Sequence, residues 1–503
     1  MYHHKSIAGI GLTFLALFCS TAFAQGAPTP AAAAQQALQT NPEVAAKFNA
    51  LRASVDEIDA ARGAYLPRVD VAAEVGRTQD RIDNRNPADQ SLSRNGASVT
   101  VTQMLWDGLA TRSEVSRASH NRMARYFEFV DATEQTSLEA GRAFYDVLRY
   151  RKLVALAEDN YVQHKSVSDQ IQSRVRAGVT RGVDLEQSSA RLALAESNLI
   201  TEKTNLHDVT ERYRRVVGEL PPRYVDGVPP LGRTLPASTQ AALEAAVQKS
   251  PVIAGAIETL RGVRAQSGAW RSTFQPRVEA RLRSGAGRNY DGLENQRRET
   301  SASLVMNWNV FNGGTDAARL RQQGHLLTQA GDLRDKACRD TRQNTAIAFN
   351  EVRRLEEQLV FLKLNTEAIE KARDAYRQQF NIGQRSLLDV LNAENELYTA
   401  KRALAQAQTD REIAILRTHA AIGTLGVAFG LAQQSDAKDL APDSNGWEAG
   451  EDAAGRCPVD PTELDGLPRA ELDNRVRAQQ AAAARGLPAS VSPRMMVGDA
   501  ATR

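Results

Sequence analysis

The sequence has few cysteines, few aromatic residues and no long apolar run. Its 503 residues include three cysteines and only 6% aromatic residues. No stretch beyond the N-terminal segment holds the roughly 18 consecutive apolar residues that a transmembrane helix needs, so the mature chain is not expected to contain one. The formal net charge of +3 is small for this length, and no basic patch with interleaved aromatic residues points to a nucleic-acid partner.

The residue patterns that carry catalysis or metal binding are also absent. The seven histidines form no ligand pair, and neither a nucleophile elbow nor a phosphate-binding loop is visible. Cys338 and Cys457 are far apart in unlike sequence, so neither a disulfide nor a metal site is expected. We expect Cys338 to be a small buried apolar residue. An enzyme is the least favoured class, and no catalytic, cofactor-binding or metal residue is predicted.

The N-terminus has the pattern of a secretory signal peptide. Residues 1–24 combine a basic start, an apolar core and an Ala-Phe-Ala end, which is typical of a cleaved signal. Cys19 would suggest lipid attachment, but the preceding Phe18 is too bulky for that modification. We therefore expect an exported and unlipidated mature protein.

The body of the chain is duplicated. Gly178 stands before Asp184 at the same spacing as Gly383 before Asp389, and a helical run follows each pair. The similarity extends over about 37–425, with a period much longer than that of solenoid repeats. The predicted organisation is a signal peptide (1–24), a first repeat (25–225), a second repeat (226–432) and a polar, largely disordered tail (433–503) with a short helix around 468–484.

Each repeat predicts a helix, two strands and a long helical hairpin. Pro42 and Pro251 suit the first turn of a helix, where the missing N–H needs no partner. Two runs per repeat then alternate apolar and polar residues, as strands with one apolar face do. These runs are about ten residues long, the length of a tilted strand that crosses a bilayer. Alternation alone nevertheless favours ordinary half-buried hairpins on a soluble core.

The helical hairpins argue against a globular core. From about 317 to 380, apolar or small residues recur every three or four positions, which is a coiled-coil pattern. Such a helix would be roughly 95 Å long at 1.5 Å per residue. It turns near 381–383 and returns through Leu425. Four strands cannot close, and open edges in hydrocarbon leave backbone groups unpaired. Either the strands lie outside a membrane or several copies share one barrel, for which three copies would give twelve strands and a pore.

These features together resemble the TolC family of outer-membrane channel proteins over about 31–432. The segments that carry the resemblance are NPEV at 41–44, AYLPRVDV at 64–71, NVFNGG at 309–314 and FNIGQRSLLDVLNAENELYTAK at 380–401. The resemblance implies an α+β membrane protein of the outer membrane. Three copies would share one twelve-stranded β-barrel, with four strands per chain, continuous with a periplasmic α-helical coiled-coil tunnel.

The resemblance also implies partners and a passive function without a cofactor. A periplasmic adaptor protein and an inner-membrane ABC or proton-driven transporter would dock on the tunnel, and the cargo would be a protein or a small molecule. The unlipidated N-terminus favours a type I protein secretion system. Two alternatives stay open: the outer-membrane component of a small-molecule efflux pump, and a soluble periplasmic coiled-coil adaptor or scaffold.

The family pattern places a gate at the hairpin tips. Polar links between hairpins would involve Asp184, Phe380 and Arg385, and a ring of Asp389 carboxylates would narrow the pore and favour cations. Asn392 stands where a second Asp is common, and Phe380 replaces a common Tyr, so the link network and the acidic ring differ from that pattern. The alternative is that Asp184 and Asp389 flank a helix start. The turns between helices would be formed around Gly178 and Gly383.

Overall fold

The computed structural model describes residues 29–223, 231, 234–431, 441, 446–462 and 466–484. The predicted signal peptide (1–24) lies outside these residues. The chain divides into two compact units, Met1–Val459 and Asp460–Arg503. The second unit contains the helix that was predicted around 468–484, here named α10 (Arg469–Ala484). All elements described below belong to the first unit.

The element order confirms the duplication. The first repeat comprises α1 (Pro30–Thr40), α2 (Pro42–Gly63), β1 (Arg68–Arg81), β2 (Asp89–Trp106), α3 (Ala110–Arg176) and α4 (Gly182–Val217). The second comprises α5 (Thr239–Lys249), α6 (Pro251–Arg271), β3 (Arg277–Arg288), β4 (Arg298–Asn307), α7 (Thr315–Asn381) and α8 (Leu387–Ile422), followed by the short α9 (Leu425–Phe429). Sequence reasoning missed α1 and α5, which precede the two prolines that begin α2 and α6.

The helix starts follow from local side chains. Asn41 accepts a hydrogen bond from the backbone N of Glu43 at 2.9 Å, and Pro42 occupies the first position of α2. Both features satisfy or remove N–H groups that have no partner inside the helix. The short α9 is held differently, because the buried carboxylate of Glu134 accepts from the N–H groups of Leu425 and Gly426 at 2.8 and 3.0 Å.

The long helices α3 and α7 each have 67 residues, or about 100 Å at 1.5 Å per residue. The largest apolar cluster lies where α1, α3, α4 and α8 meet, and its fully buried members include Ala34, Ala140, Val217 and Leu416. Small residues at such contacts let helices approach closely. The predicted seam of α7 is buried or half-buried except at Ala372 and at Leu333, which is 53% exposed.

The four described strands form an antiparallel sheet in the order β1-β2-β3-β4. Val99 lies opposite Ser284 and Val101 opposite Leu282, so β2 and β3 join the two repeats. One face carries most of the apolar side chains, and the other carries the charged residues Arg281 and Arg283. The strands have 14, 18, 12 and 10 residues. The first two are longer than predicted because residues assigned to a polar loop continue the ladder.

The segment 446–459 corrects two predictions. Cys457 forms a disulfide with Cys338 of α7, with the Cα atoms 6.0 Å apart. Trp447 donates to Glu258 at 2.7 Å, and Asp452 pairs with Arg261 at 2.9 Å. Both the expectation of no disulfide and that of a disordered tail are therefore wrong for this segment. The sequence separation of 119 positions hides the pairing, since only the packing of 446–459 on α6 and α7 brings the two cysteines together.

None of the helices in the described parts of the chain combines the length and apolar content that a membrane-spanning helix requires.

Candidate functional site at the hairpin tips

The two helical hairpins turn at glycines with the same backbone geometry. Gly178 and Gly383 have φ values of 72° and 79°, which place them in the left-handed region that favours glycine. At the end of α3, the N–H of Val179 donates a hydrogen bond to the carbonyl of Arg174 at 2.9 Å. At the end of α7, the N–H of Gln384 donates to the carbonyl of Gln379 at 2.8 Å. A Cβ at either glycine would meet nothing within 4 Å. The glycines are therefore needed for backbone conformation rather than for space.

Asp389 forms a capping box with Ser386 at the start of α8. The hydroxyl of Ser386 accepts from the N–H of Asp389 at 3.3 Å, and the carboxylate of Asp389 accepts from the N–H and the hydroxyl of Ser386 at 3.3 and 2.9 Å. This satisfies two N–H groups that lack partners within the helix. The interpretation of Asp389 as a helix-start residue is thus confirmed, while its role in narrowing a pore stays a prediction.

Asp184 occupies the matching position in α4 but forms no capping box. The residue before α4 is Arg181, which makes no side-chain cap. Asp184 is partly buried, and no hydrogen bond or ion pair of the described residues joins its carboxylate to Phe380 or Arg385 within one chain. The predicted link between Asp184 and these residues therefore remains a prediction for contacts between chains.

Phe380 packs between the two hairpins. It contacts a buried apolar cluster that includes Ile171 of α3 and Leu391 of α8. The guanidinium of Arg174 lies over its ring, 5.0 Å from the ring centre. A cation over an aromatic face is attractive without any hydroxyl group. The contact of Phe380 at the tips therefore consists of apolar packing and a cation–π interaction. Neither interaction needs the hydroxyl group that a tyrosine would carry.

Arg385 contacts only its own hairpin among the described residues. Its guanidinium lies 4.7 Å from the ring centre of Tyr376 and donates to Gln379 at 3.1 Å. It also lies 3.8 Å from the carboxylate of Asp389. All three partners belong to α7 or α8. The positive charge of Arg385 therefore lies beside the carboxylate of Asp389 and partly neutralises it.

The polar contacts that do join the hairpins within one chain were missed by sequence reasoning. Arg191 of α4 donates to the side-chain oxygen of Asn392 at 3.1 Å. Arg377 of α7 hydrogen-bonds Gln163 of α3 and pairs with the buried Glu394 at 2.8 Å. Asn392, which stands where a second Asp is common in the family pattern, connects α8 to α4 through its bond with Arg191, and its place at the constriction stays a prediction. The signal available in the sequence was Glu394, because an acidic residue buried in a helical seam needs a cationic partner.

A buried histidine lies among these contacts. His164 of α3 is 3% exposed, and its Nδ1 has no hydrogen-bond partner within the described part of the chain. Burial lowers the pKa of His164, and the nearby Arg191 and Arg377 lower it further. All these effects disfavour the charged form, so the packed hairpins favour the neutral imidazole.

The fold and the tips define a class of protein. A sheet with an apolar and a polar face continues into paired helices about 100 Å long whose far ends are tied by polar contacts, and this is the architecture of an outer-membrane channel with a periplasmic extension. The family model of the outer membrane efflux protein matches residues 33–219 and 242–424, one match for each repeat. The chain belongs to this family.

Known relatives and a solved structure agree with this assignment. The outer membrane efflux protein BepC of Brucella suis biovar 1 is 26% identical over 73% of this chain and 80% of its own length. The alkaline protease secretion protein AprF of Pseudomonas aeruginosa is 25% identical over 78% of this chain and 84% of its own. The structure of the outer-membrane channel OprN superposes with a TM-score of 0.69 and 20% identity, covering 79% of this chain and 90% of OprN.

The comparisons confirm the predicted family, fold class and outer-membrane location. Family and fold are those of channel proteins rather than of enzymes. The soluble adaptor alternative does not fit this family. The domain boundaries and the gate residues remain predictions.

Proposed function

We propose that three copies of this chain form a passive export duct across the outer membrane and the periplasm. The observation that carries the proposal is the open sheet, in which β1 and β4 have no further strand beside them among the described residues. Unpaired backbone groups in hydrocarbon are unfavourable by several kcal/mol each, so the edges need strands from other copies. Three copies give twelve strands and a lumen wide enough for transport. The fold of TolC-like channels supports this stoichiometry.

The duct would serve a type I protein secretion system. AprF, whose name assigns it to protease secretion, resembles the chain over most of both sequences. A second candidate is small-molecule efflux, which the similarity to the efflux protein BepC supports. In either system the energy comes from an inner-membrane transporter and reaches the duct through a periplasmic adaptor. No cofactor is required of the duct itself.

Deleting the gene from its source bacterium separates the two systems. Mass spectrometry of the culture medium measures secreted proteins, and growth inhibition by dyes and antibiotics measures efflux. For type I secretion we expect the loss of one or a few secreted proteins with unchanged drug sensitivity, restored by the intact gene. Increased drug sensitivity with an unchanged set of secreted proteins would assign the chain to efflux, and no change in either would contradict an export function.

A further inference from the structure

The loop between β3 and β4 folds back onto the sheet through Tyr290. This side chain is 3% exposed, although it lies in a connection at the end of the sheet far from the helices. A Cβ atom at Gly285 would lie 1.8 Å from the hydroxyl oxygen of Tyr290, and one at Gly96 would lie 2.7 Å from its ring. The ring therefore fills the space that side chains at these two positions would occupy.

The register shows which face of the sheet the ring covers. Gly285 lies opposite Ser98, and two residues along the strands Arg283 lies opposite Thr100. Gly96 precedes Ser98 by two residues and so shares this face, because strand side chains alternate. The other face carries the apolar side chains of Val99, Val101 and Leu282. In a transmembrane barrel the apolar face meets lipid and the polar face lines the interior, so Tyr290 lies on the interior face.

Several bonds hold the loop in this folded position. The guanidinium of Arg283 lies 5.7 Å from the centre of the Tyr290 ring and 3.2 Å from the carboxylate of Asp291. The side chain of Asn289 donates to the carbonyl of Ser93 at 2.9 Å.

A further hydrogen bond ties the loop to the start of β2, where the side chain of Gln90 donates to the carboxylate of Glu294 at 2.6 Å. The backbone N–H of Tyr290 donates to Gln296 at 2.9 Å. The connection is therefore a built part of the sheet and does not extend away from the rim.

We propose that this loop, seated through Tyr290 on Gly96 and Gly285, narrows the outer end of the duct and limits the size of solutes that enter from outside. The inference rests on the proposed function, since three copies of the loop around one axis are needed to form a constriction. The charged side chains of Arg283 and Asp291 lie beside Tyr290 in each copy and make the constriction polar. This constriction is separate from the gate predicted at the hairpin tips. The β3–β4 connection lies at the far end of the sheet, and the hairpin turns lie at the far ends of the long helices.

Cysteine labelling from outside intact cells tests the constriction. The substitution Thr102→Cys places a thiol on the interior face, below the level of Tyr290. The native Cys338 and Cys457 are joined to each other and do not compete for the reagent. Cells are treated with a small membrane-impermeant maleimide or with a maleimide that carries a long polyethylene glycol chain. A separate Asp83→Cys variant, in the exposed β1–β2 connection, checks that both reagents reach the cell surface.

We expect the large reagent to label Thr102→Cys only at background level, and to label it nearly as well as the small reagent once Tyr290→Ala is added. Tyr290→Phe is the matched control. It keeps the ring, and the hydroxyl that it removes has no hydrogen-bond partner among the described residues, so labelling should stay at background. Gly285→Val displaces the ring without altering Tyr290 and should act like Tyr290→Ala.

Two results would overturn the inference, and they differ in what else they affect. If the large reagent labels Thr102→Cys whether or not Tyr290 is present, the proposed constriction is contradicted. The proposed duct is not affected by this result. A second result is that neither reagent labels Thr102→Cys in any variant, while Asp83→Cys is labelled normally. This would show that the polar face lines no open lumen, and it would contradict both the constriction and the duct. Trimer bands on gels confirm that each variant assembles.

Discussion

At the scale of single residues, the carboxylate of Asp389 caps a helix and is also the acidic group that was predicted at the gate. Asp389 completes a capping box with Ser386, and the guanidinium of Arg385 lies 3.8 Å away. An alanine at position 389 would therefore remove a helix cap together with a charge, and its effect on ion transport could not be assigned to either. Substitutions that separate the two properties give a clearer test.

We predict that Asp389→Asn lowers the cation selectivity of the reconstituted channel. The amide removes the negative charge but retains an oxygen that can accept from Ser386, so α8 should still begin normally. The control Ser386→Ala keeps the charge and removes the cap, which should cost about 0.5–2 kcal/mol of stability without changing selectivity. Reversal potentials under a salt gradient in planar bilayers measure the effect. Equal selectivity of Asp389→Asn and the unsubstituted channel would show that the carboxylate does not face the pore.

At the scale of the helical elements, buried polar groups tie the two hairpins of one chain. Glu394 pairs with Arg373 and Arg377 within its own hairpin, and Arg377 also reaches Gln163 in the other. Farther from the tips, the buried Glu202 of α4 pairs with Arg402 of α8. Breaking a buried pair leaves an uncompensated charge. The hairpins are therefore held in a defined register, and their separation requires these groups to find water or new partners.

We predict that acidification loosens this packing through His164. Its folded-state pKa lies below the ordinary value of about 6.5, so the neutral form stabilises the packed state. This stabilisation is complete above about pH 6.5 and is lost as the pH falls toward the folded-state pKa. A proton there would add a positive charge beside Arg191 and Arg377.

The heat-dissociation midpoint of the detergent-purified protein, measured at about pH 7.5 and 5.5 on either side of the ordinary histidine pKa, reports the effect. His164→Gln should reduce the difference between the two midpoints, whereas replacement of the exposed His325 by Gln should not. An unchanged difference in His164→Gln would assign the acid sensitivity to other groups.

At the scale of the whole molecule, the two faces of the sheet must meet different surroundings. Val69, Val71, Val75 and Val99 are all well exposed in the single chain. Such a row of apolar side chains is unfavourable in water and favourable in lipid. The neighbouring residues in the sequence point to the opposite face, so adjacent positions in one strand should respond differently to the same substitution.

We predict that Val99→Lys prevents assembly and that Thr100→Lys does not. A lysine on the lipid face near the bilayer midplane costs about 2–4 kcal/mol, whereas a lysine facing the lumen remains in water. The yield of heat-resistant trimers in the outer-membrane fraction measures assembly. Equal yields for both variants would contradict the assignment of the two faces, and a water-soluble monomer in the absence of detergent would contradict the duct itself.

Local patterns in the sequence determined most of the architecture. The duplication, the helix starts at Pro42 and Pro251, the left-handed turns at Gly178 and Gly383 and the alternation of the strands each depend on residues that are close in the chain. Such features are set by backbone sterics and side-chain periodicity, which act over a few residues. The family resemblance added the shared barrel, which no single chain contains.

Only the tertiary structure decided the contacts between distant segments. The disulfide spans 119 residues, the bond from Arg191 to Asn392 spans 201, and Tyr290 finds its seat partly on Gly96 in the other repeat. Nothing near any of these residues marks its partner. The packing of the two repeats selects the pairs, because a polar group, a thiol or a ring finds its partner only where the fold brings a matching group or space to it.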